Sequence, residues 1–262
     1  MTSTVNKVAA VTLAFWIMKI LATTLGETFG DFISMTLLRD RLGIAEFYGP
    51  ALAITFLVLA VVLLLQISSK KYHPLLFWSA IIATTTVGTE ISDFMDRTLG
   101  LGYTLGSLVL VTALAITLAV WYYREGNLSI DPIVHKGAEV MFWLAVLFSN
   151  SLGTAFGDFL HDEAGLSFIQ GALVTAGVIG VVAALHYFTN LNDVLLFWIA
   201  FVFTRPFGAT FGDFLTKPLT DGGLHLPREF ASLITLAMLL LVLFVSEKAL
   251  RKDKPKLSNT GW

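Results

Sequence analysis

Four aspartates occupy the same place in four copies of one short pattern. Each copy begins with a Phe-Trp pair, and a Gly lies ten residues after the Trp. An Asp-Phe pair begins five residues after that Gly. The distance from Trp to Asp is therefore fifteen residues in every copy. Because an ionisable side chain within an apolar helix is costly in a membrane, four such carboxylates predict a functional site. The copies are Phe15-Trp16…Gly26…Asp31-Phe32, Phe77-Trp78…Gly88…Asp93-Phe94, Phe142-Trp143…Gly153…Asp158-Phe159 and Phe197-Trp198…Gly208…Asp213-Phe214.

Two copies carry a second carboxylate on the same helix face. Glu27 precedes Asp31 by four residues, and Glu90 precedes Asp93 by three. Carboxylates this close repel each other unless a proton or a cation is held between them. We therefore expect these four acids to form an ion site, with Asp158 and Asp213 as secondary ligands or proton carriers. The predicted metal ligands are Glu27, Asp31, Glu90, Asp93, Asp158 and Asp213.

Neutral oxygens and two bases accompany the acids. Hydroxyl groups and one amide lie one to two helical turns before the acids in the sequence. Such hard oxygen ligands suit Mn²⁺, Mg²⁺ or Ca²⁺. Lys19 and Arg205 are the bases within the same helices and are expected to be charge partners. Arg205 is expected to pair with an acid of another repeat. Six acids against two bases predict a surplus of four negative charges, which must bind protons or cations. The neutral ligands are Thr23, Thr24, Thr85, Thr86, Asn150 and Ser151.

Composition places the chain in a bilayer and excludes several functions. Of its 262 residues, 56% are hydrophobic and only 14% are charged, whereas soluble domains carry about 25% charged residues. A net charge of −2 argues against nucleic-acid binding. Without Cys there is neither a disulfide nor a thiolate site. No Ser/His/Asp, HExxH or P-loop arrangement occurs, so we expect neither an enzyme nor a bound organic cofactor.

The apolar runs predict an all-α integral membrane protein with eight transmembrane helices. Runs of about 20 residues are long enough to cross a bilayer. The pattern lies on every odd-numbered helix, so each repeat is expected to be a hairpin of one motif helix and one plain helix. Two helices return the chain to its starting side, so the four repeats share one orientation. The predicted spans are Val8–Phe32, Tyr48–Ile67, Leu75–Met95, Tyr103–Tyr123, Ala138–Leu160, Ser167–Tyr187, Val194–Leu215 and Glu229–Glu247.

The repeats divide a single membrane domain, residues 1–262, into approximately residues 8–67, 74–123, 138–188 and 194–248. Residues 249–262 are expected to form a frayed cytoplasmic tail.

The Phe-Trp pairs and Trp121-Tyr122-Tyr123 suggest an aromatic belt at the membrane interface. Each Gly and the small residue four positions later indicate either close helix packing or a helix break. Arg205-Pro206 favours a kink in the fourth copy.

Basic residues set the expected orientation. Ten lie between repeats or at the termini, and five lie within repeats on the opposite side. Because cytoplasmic loops are enriched in Lys and Arg, both termini are expected in the cytoplasm.

The repeated pattern resembles a bacterial membrane protein family of four tandem two-helix repeats of unknown function. The resemblance runs from Phe15 to about Val245 and rests on the stretches GETFGDF, SLGTAFGDF and PFGATFGDF, although Ser92 replaces the second Gly in the second copy. It implies eight helices in a bacterial cytoplasmic membrane and implies no activity. The run from Glu27 to Asp31 is also similar to the Glu-x-Gly-Asp motif of exchangers that export manganese or calcium, with one extra residue.

The acids favour a secondary transporter that exchanges a cation, of the divalent Mn, Mg or Ca class, for protons. The expected partners are the cation, protons and the lipid bilayer; the sequence leaves the oligomeric state open. A first alternative is a proton-coupled transporter of a small organic cation, with a cavity lined by Phe29, Phe156 and Phe211. A second is a structural or sensor membrane protein whose acids only pair with Lys19 and Arg205.

Overall fold

The fold is a bundle of helices in the part of the chain that the structure, a computed structural model, describes: residues 7–130, 133 and 135–258. Seven of the helices described are long and apolar enough to cross a membrane; α1, which carries Lys19, Glu27 and Asp31, is the exception. The helices are α1 (Leu13–Asp31), α2 (Tyr48–Ser68), α3 (Pro74–Asp93), α4 (Gly102–Glu125), α5 (Lys136–Asp158), α6 (Phe168–Phe188), α7 (Asp193–Thr216) and α8 (Arg228–Ser258).

Local sequence accounts for where several helices begin. The Thr12 hydroxyl caps α1 by accepting a hydrogen bond from the Phe15 amide, and Asn192 caps α7 in the same way. Pro74 opens α3, where its missing N–H is not needed. Ser167 and Gln170 form a reciprocal capping box at the start of α6. Residues at the helix starts therefore favour these boundaries through local hydrogen bonds and backbone geometry.

The four motif helices form a closed ring. α1 packs on α3, α3 on α5, α5 on α7, and α7 back on α1. The plain helices α2, α4, α6 and α8 lie outside this ring. In their most apolar stretches 22–28% of the residues are buried, against 56–72% in α3, α5 and α7. The apolar side chains of the plain helices are therefore available to lipid, and the polar side chains of the motif helices are kept away from it.

The two helices of each repeat do not pack on each other. Each plain helix packs on the motif helix of the next repeat: α2 on α3, α4 on α5, α6 on α7, and α8 on α1. A plain helix has only slight contact with the motif helix of its own repeat. Each repeat therefore has to bury its apolar surface against a neighbour, and α8 closes the circle on α1.

The glycines of the pattern allow the motif helices to approach closely. The structure therefore supports close helix packing at these positions and not a helix break. Each first glycine of the pattern lies against the residue three positions before the corresponding glycine of the next repeat. A methyl group on any of the four would overlap that neighbour. No helix break occurs at these positions, and α7 continues through Pro206. The four contacts are Gly26 with Thr85, Gly88 with Asn150, Gly153 with Arg205, and Gly208 with Thr23.

The Phe-Trp pairs form an aromatic layer inside the bundle, with six rings buried and Trp16 and Phe197 partly buried, so their assignment to an exposed interfacial belt is wrong. The Phe of each repeat contacts the Trp of the next, with ring centroids 5.6–6.5 Å apart. Trp121 of α4 is also buried and packs edge-on against Trp198, whereas Tyr122 and Tyr123 are exposed. The aromatic residues expected at the surface are thus largely part of the core. The contacts are Phe15–Trp78, Phe77–Trp143, Phe142–Trp198 and Phe197–Trp16.

The opposite end of the ring carries the aspartates, and we call it the aspartate end. Asp31, Asp93 and Asp158 are the last residues of α1, α3 and α5, and each helix then continues in wider π-helical turns. The fourth copy differs because Pro218 follows shortly after Asp213 and cannot extend the helix. π-Helical turns are frequent at functional sites.

The C-terminal helix is longer than predicted. α8 continues to Ser258, through the region expected to be a frayed tail, and residues 259–262 lie outside the described part of the chain.

A glycine substitution tests the ring. Gly208→Ala is expected to lower the free energy of unfolding by about 1–3 kcal/mol, because the new methyl group meets the side chain and backbone of Thr23. Gly177→Ala, in the interior of α6 with no neighbour within 4 Å, is the matched control and is expected to be neutral or slightly stabilising. Thermal unfolding of the purified variants would measure both, and equal effects would contradict the close approach.

Candidate functional site

Two basic side chains divide the four aspartates into two bridged pairs. Arg97 Nε lies 2.8 Å from Asp93 Oδ1, and its Nη2 lies 3.5 Å from Asp158 Oδ2. Lys217 Nζ lies 3.1 Å from Asp213 Oδ1 and 3.4 Å from Asp31 Oδ2. In both cases the base joins the aspartate of its own repeat to that of the next repeat around the ring. The aspartates are 2–7% exposed, whereas the side chains of Arg97 and Lys217 are 33% and 19% exposed, so the acids are buried and the bases reach the surface of the bundle.

The sequence contains a signal for these two bases, which were not among the predicted charge partners. Arg97 and Lys217 lie four residues after Asp93 and Asp213, the spacing at which opposite charges meet on a helix. The same position holds Met35 in the first copy and Asp162 in the third. A base therefore occurs in alternate repeats, and the charges have two-fold symmetry within a backbone that repeats four times.

The predicted surplus of four negative charges is too large. Besides Arg97 and Lys217, Arg228 at the start of α8 lies 3.5 Å from Asp31. Asp96 is a further buried acid, which accepts a hydrogen bond from Ser92. Seven acids then face five bases, which reduces the surplus to two. The acids are Glu27, Asp31, Glu90, Asp93, Asp96, Asp158 and Asp213, and the bases are Lys19, Arg97, Arg205, Lys217 and Arg228.

Three of the six predicted ligands meet closely. Carboxylate oxygens of Glu27, Asp31 and Asp213 all lie within 4.8 Å of one another, and all three residues are buried. Among the described residues this is the one group of three with spacing that could hold a metal ion. Asp93 and Asp158 instead share Arg97. We call Glu27, Asp31 and Asp213 the carboxylate triad.

Glu90 lies apart from the triad. It is completely buried, and neither of its carboxyl oxygens has a hydrogen-bond partner among the residues described. The nearby Ser34 hydroxyl interacts electrostatically with Glu90 but donates its hydrogen bond to the Gly30 carbonyl. A buried ionised carboxylate without a partner is very costly, so Glu90 must be protonated or neutralised by a bound cation.

Arg205 pairs with an acid of another repeat, as the sequence predicts. Its Nη2 donates to Glu27 Oε2 at 2.9 Å and to the Thr89 hydroxyl at 2.6 Å. Lys19 contacts no acid in the described structure. It donates to Asn150 Oδ1 at 3.0 Å, and its ammonium lies 4.1 Å from the centre of the Phe201 ring.

Lys217 lies just beyond the end of α7, between the triad acids. Burial by itself lowers the pKa of Lys217, but the Asp213 and Asp31 carboxylates outweigh burial and raise that pKa well above the usual value. Lys217 is therefore charged, and its ammonium lies beside the oxygens that a cation would use.

The aromatic residues considered for an organic-cation cavity each pack on other aromatic rings. Phe29 and Phe211 are 38% and 37% exposed and stack on Phe32 and Phe207. Phe156 packs on the rings of Phe159 and Phe203.

These features define a multi-pass helical membrane protein built from internal repeats, with ionisable residues buried inside its ring of motif helices. The chain belongs to the family described as Repeat of Unknown Function (DUF347), which matches residues 14–72, 76–127, 141–192 and 196–248. The match confirms the family resemblance seen in the sequence. No curated protein and no solved structure matches the chain.

A charge-pair cycle tests the buried contact between Arg205 and Glu27. Arg205→Gln is expected to destabilise the protein by about 3–5 kcal/mol, because it leaves the Glu27 carboxylate buried and unpaired. Adding Glu27→Gln is expected to recover part of that loss, and unfolding measurements on the two single variants and the double variant would show it. Strictly additive losses would contradict the pair. Arg39→Gln, which breaks the exposed pair with Asp40, is the control and should leave stability unchanged.

Proposed function

We propose that this protein is a secondary transporter that exchanges a cation, a divalent ion of the Mn, Mg or Ca class, for protons. The observation that supports this proposal is the carboxylate triad, three buried acids with oxygens within 4.8 Å of one another. Carboxylate oxygens are the ligands that these hard cations prefer. The triad joins α1 to α7, so a bound cation would connect the first and last repeats.

Proton exchange follows from the same residues. Close carboxylates share protons, and a cation can bind them only when those protons leave. A bound cation would also displace the ammonium of Lys217. That ammonium must move away from Asp31 and Asp213 before a cation can use their oxygens. Lys217 is only partly shielded, with 19% of its side chain exposed, and its flexible stem allows such a movement.

The proposed setting is a bacterial cytoplasmic membrane with both termini in the cytoplasm. α1 has the same position in the ring as α3, α5 and α7, so we propose that it crosses the membrane as an eighth span. Its polar residues do not oppose this arrangement, because α3, α7 and α8 surround them. The aspartate end then faces out, and the aromatic layer lies towards the cytoplasm.

A non-transporting structural or sensor role is the second candidate. The pairing of Asp31, Asp93, Asp158 and Asp213 with bases favours it, because paired acids have no need of a further cation. A transport assay separates the two roles.

Cation uptake by reconstituted protein tests the triad. Glu27→Gln, Asp31→Asn and Asp213→Asn are each expected to weaken Mn²⁺ binding by about tenfold or more, and to reduce Mn²⁺-driven proton release in proteoliposomes in parallel. Asp40→Asn removes an exposed carboxylate beyond the same end of α1 and serves as the control, with no expected change. Wild-type rates in all three triad variants would refute the assignment.

A second test concerns Lys217 as the internal competitor. Lys217→Gln is expected to tighten Mn²⁺ binding by about tenfold, since the cation no longer displaces a charged amine from Asp31 and Asp213. Arg97→Gln removes the corresponding base from the other aspartate pair and should change the affinity much less, because that pair lies outside the triad. Calorimetric titration at constant pH would measure both, and weaker binding by Lys217→Gln would show that Lys217 is not a competitor.

A further inference from the structure

Two basic side chains cross the interior of the ring between the aromatic layer and the aspartate end. Lys19 on α1 reaches Asn150 on α5, which is the diagonally opposite motif helix. Arg205 on α7 passes Gly153 of α5 and reaches Thr89 on α3, the other diagonal. Both residues are completely buried. The central axis of the bundle is therefore crossed by two basic side chains.

These side chains have more hydrogen-bond donors than the surrounding protein accepts. An ammonium has three donors and a guanidinium has five. Lys19 makes one hydrogen bond, to Asn150 Oδ1. Both hydrogen bonds of Arg205 leave from Nη2, while Nε and Nη1 have no partner in the described part of the chain. The hydroxyl of Ser149, next to Asn150, is also buried without a partner there. Unpartnered buried donors are rare and indicate a missing acceptor.

The charge at this level points the same way. Lys19 and Arg205 are close enough to interact electrostatically, and the carboxylate that pairs with either of them in the described structure is Glu27. Glu27 also belongs to the triad. One carboxylate carries at most one negative charge, so Glu27 cannot balance two charged bases. Loss of a proton from Lys19 would remove one charge, but arginine does not deprotonate in proteins.

We propose that a small monovalent anion, a halide or a carboxylate, binds between Lys19, Asn150 and Arg205. The anion would accept hydrogen bonds from the Lys19 ammonium and from the unpartnered Nε and Nη1 of Arg205. It would also cancel a barrier, since two positive charges across the axis oppose the passage of any cation. Arg205 also pairs with Glu27 of the carboxylate triad through Nη2, but the anion would use Nε and Nη1, and the site does not depend on the proposed transport activity.

Anion binding to the purified, full-length protein tests the proposal. Chloride and acetate would each replace methanesulfonate at constant ionic strength and pH, with the thermal unfolding midpoint and, for chloride, ³⁵Cl line broadening as measurements. A ligand of the folded state raises the midpoint as its concentration rises. A rise with chloride alone assigns a halide site, a rise with acetate alone assigns a carboxylate site, and a rise with both assigns a general anion site. The same midpoint in all three salts, without broadening, would overturn the proposal.

Two variants locate the site. Lys19→Met removes one charge and is expected to weaken anion binding by about ten- to hundredfold. Asn150→Asp places a carboxylate beside Lys19, so this internal anion should abolish the response to added anions and raise the midpoint measured in methanesulfonate. The matched control is Asn192→Asp, the same change at the exposed cap of α7, where either residue caps well.

The outcomes remain distinct if a variant fails. Should Lys19→Met not fold, Asn150→Asp carries the test, and a folded Asn150→Asp protein that still responds as the wild type does would refute the site. Anion binding without Mn²⁺ exchange would refute the proposed function and support this inference. Mn²⁺ exchange without any anion binding would do the reverse.

Discussion

The close approach of four motif helices at glycine is the constraint on which the rest of the structure depends. At each seam a glycine leaves room for atoms of the next helix where a Cβ would lie. Hydroxyls can then bond across the seam: Thr85 donates to the Ala22 carbonyl, and Thr23 donates to the Thr204 carbonyl. Such contacts hold helices together in lipid, where apolar side chains gain little by leaving the solvent. Because the seams form a closed circle, each motif helix packs on two others.

The same seams determine which side chains reach the interior. The residue that faces each glycine is threonine in two repeats and a longer polar side chain in the other two, Asn150 and Arg205. The threonines are short and bond to the adjacent helix. The asparagine and the arginine extend further, and both meet hydrogen-bond partners on α1 and α3. The position that faces the glycine thus bonds to the adjacent helix in two repeats and reaches across the interior in the other two. The polar interior arises from this difference between repeats.

Charge is arranged at two levels along the bundle. At the aspartate end, acids outnumber bases, and Arg97 and Lys217 each bridge two repeats. Deeper inside, Lys19 and Arg205 are the basic side chains that cross the axis, and Glu27 connects the two levels through its contact with Arg205. A change in the charge of Glu27, by proton or cation, therefore acts on both levels at once. The buried aromatic layer closes the bundle beyond Lys19.

The repeat, the helix class, the presence of buried acids and the family could all be predicted from the amino-acid sequence. A fixed spacing and long apolar runs are local properties, so they are visible without knowing which helices touch. The i,i+4 pairs Asp93–Arg97 and Asp213–Lys217 are local in the same sense. The packing of each plain helix on the next repeat and the interlocking of the Phe-Trp pairs in the core depend instead on the tertiary structure. So does the choice of acids that meet: Glu27 and Asp31 are joined by Asp213, 186 and 182 positions further along the chain, and not by Glu90 and Asp93. The physical reason is ring closure, which brings the last repeat beside the first and leaves no trace in the spacing of either one.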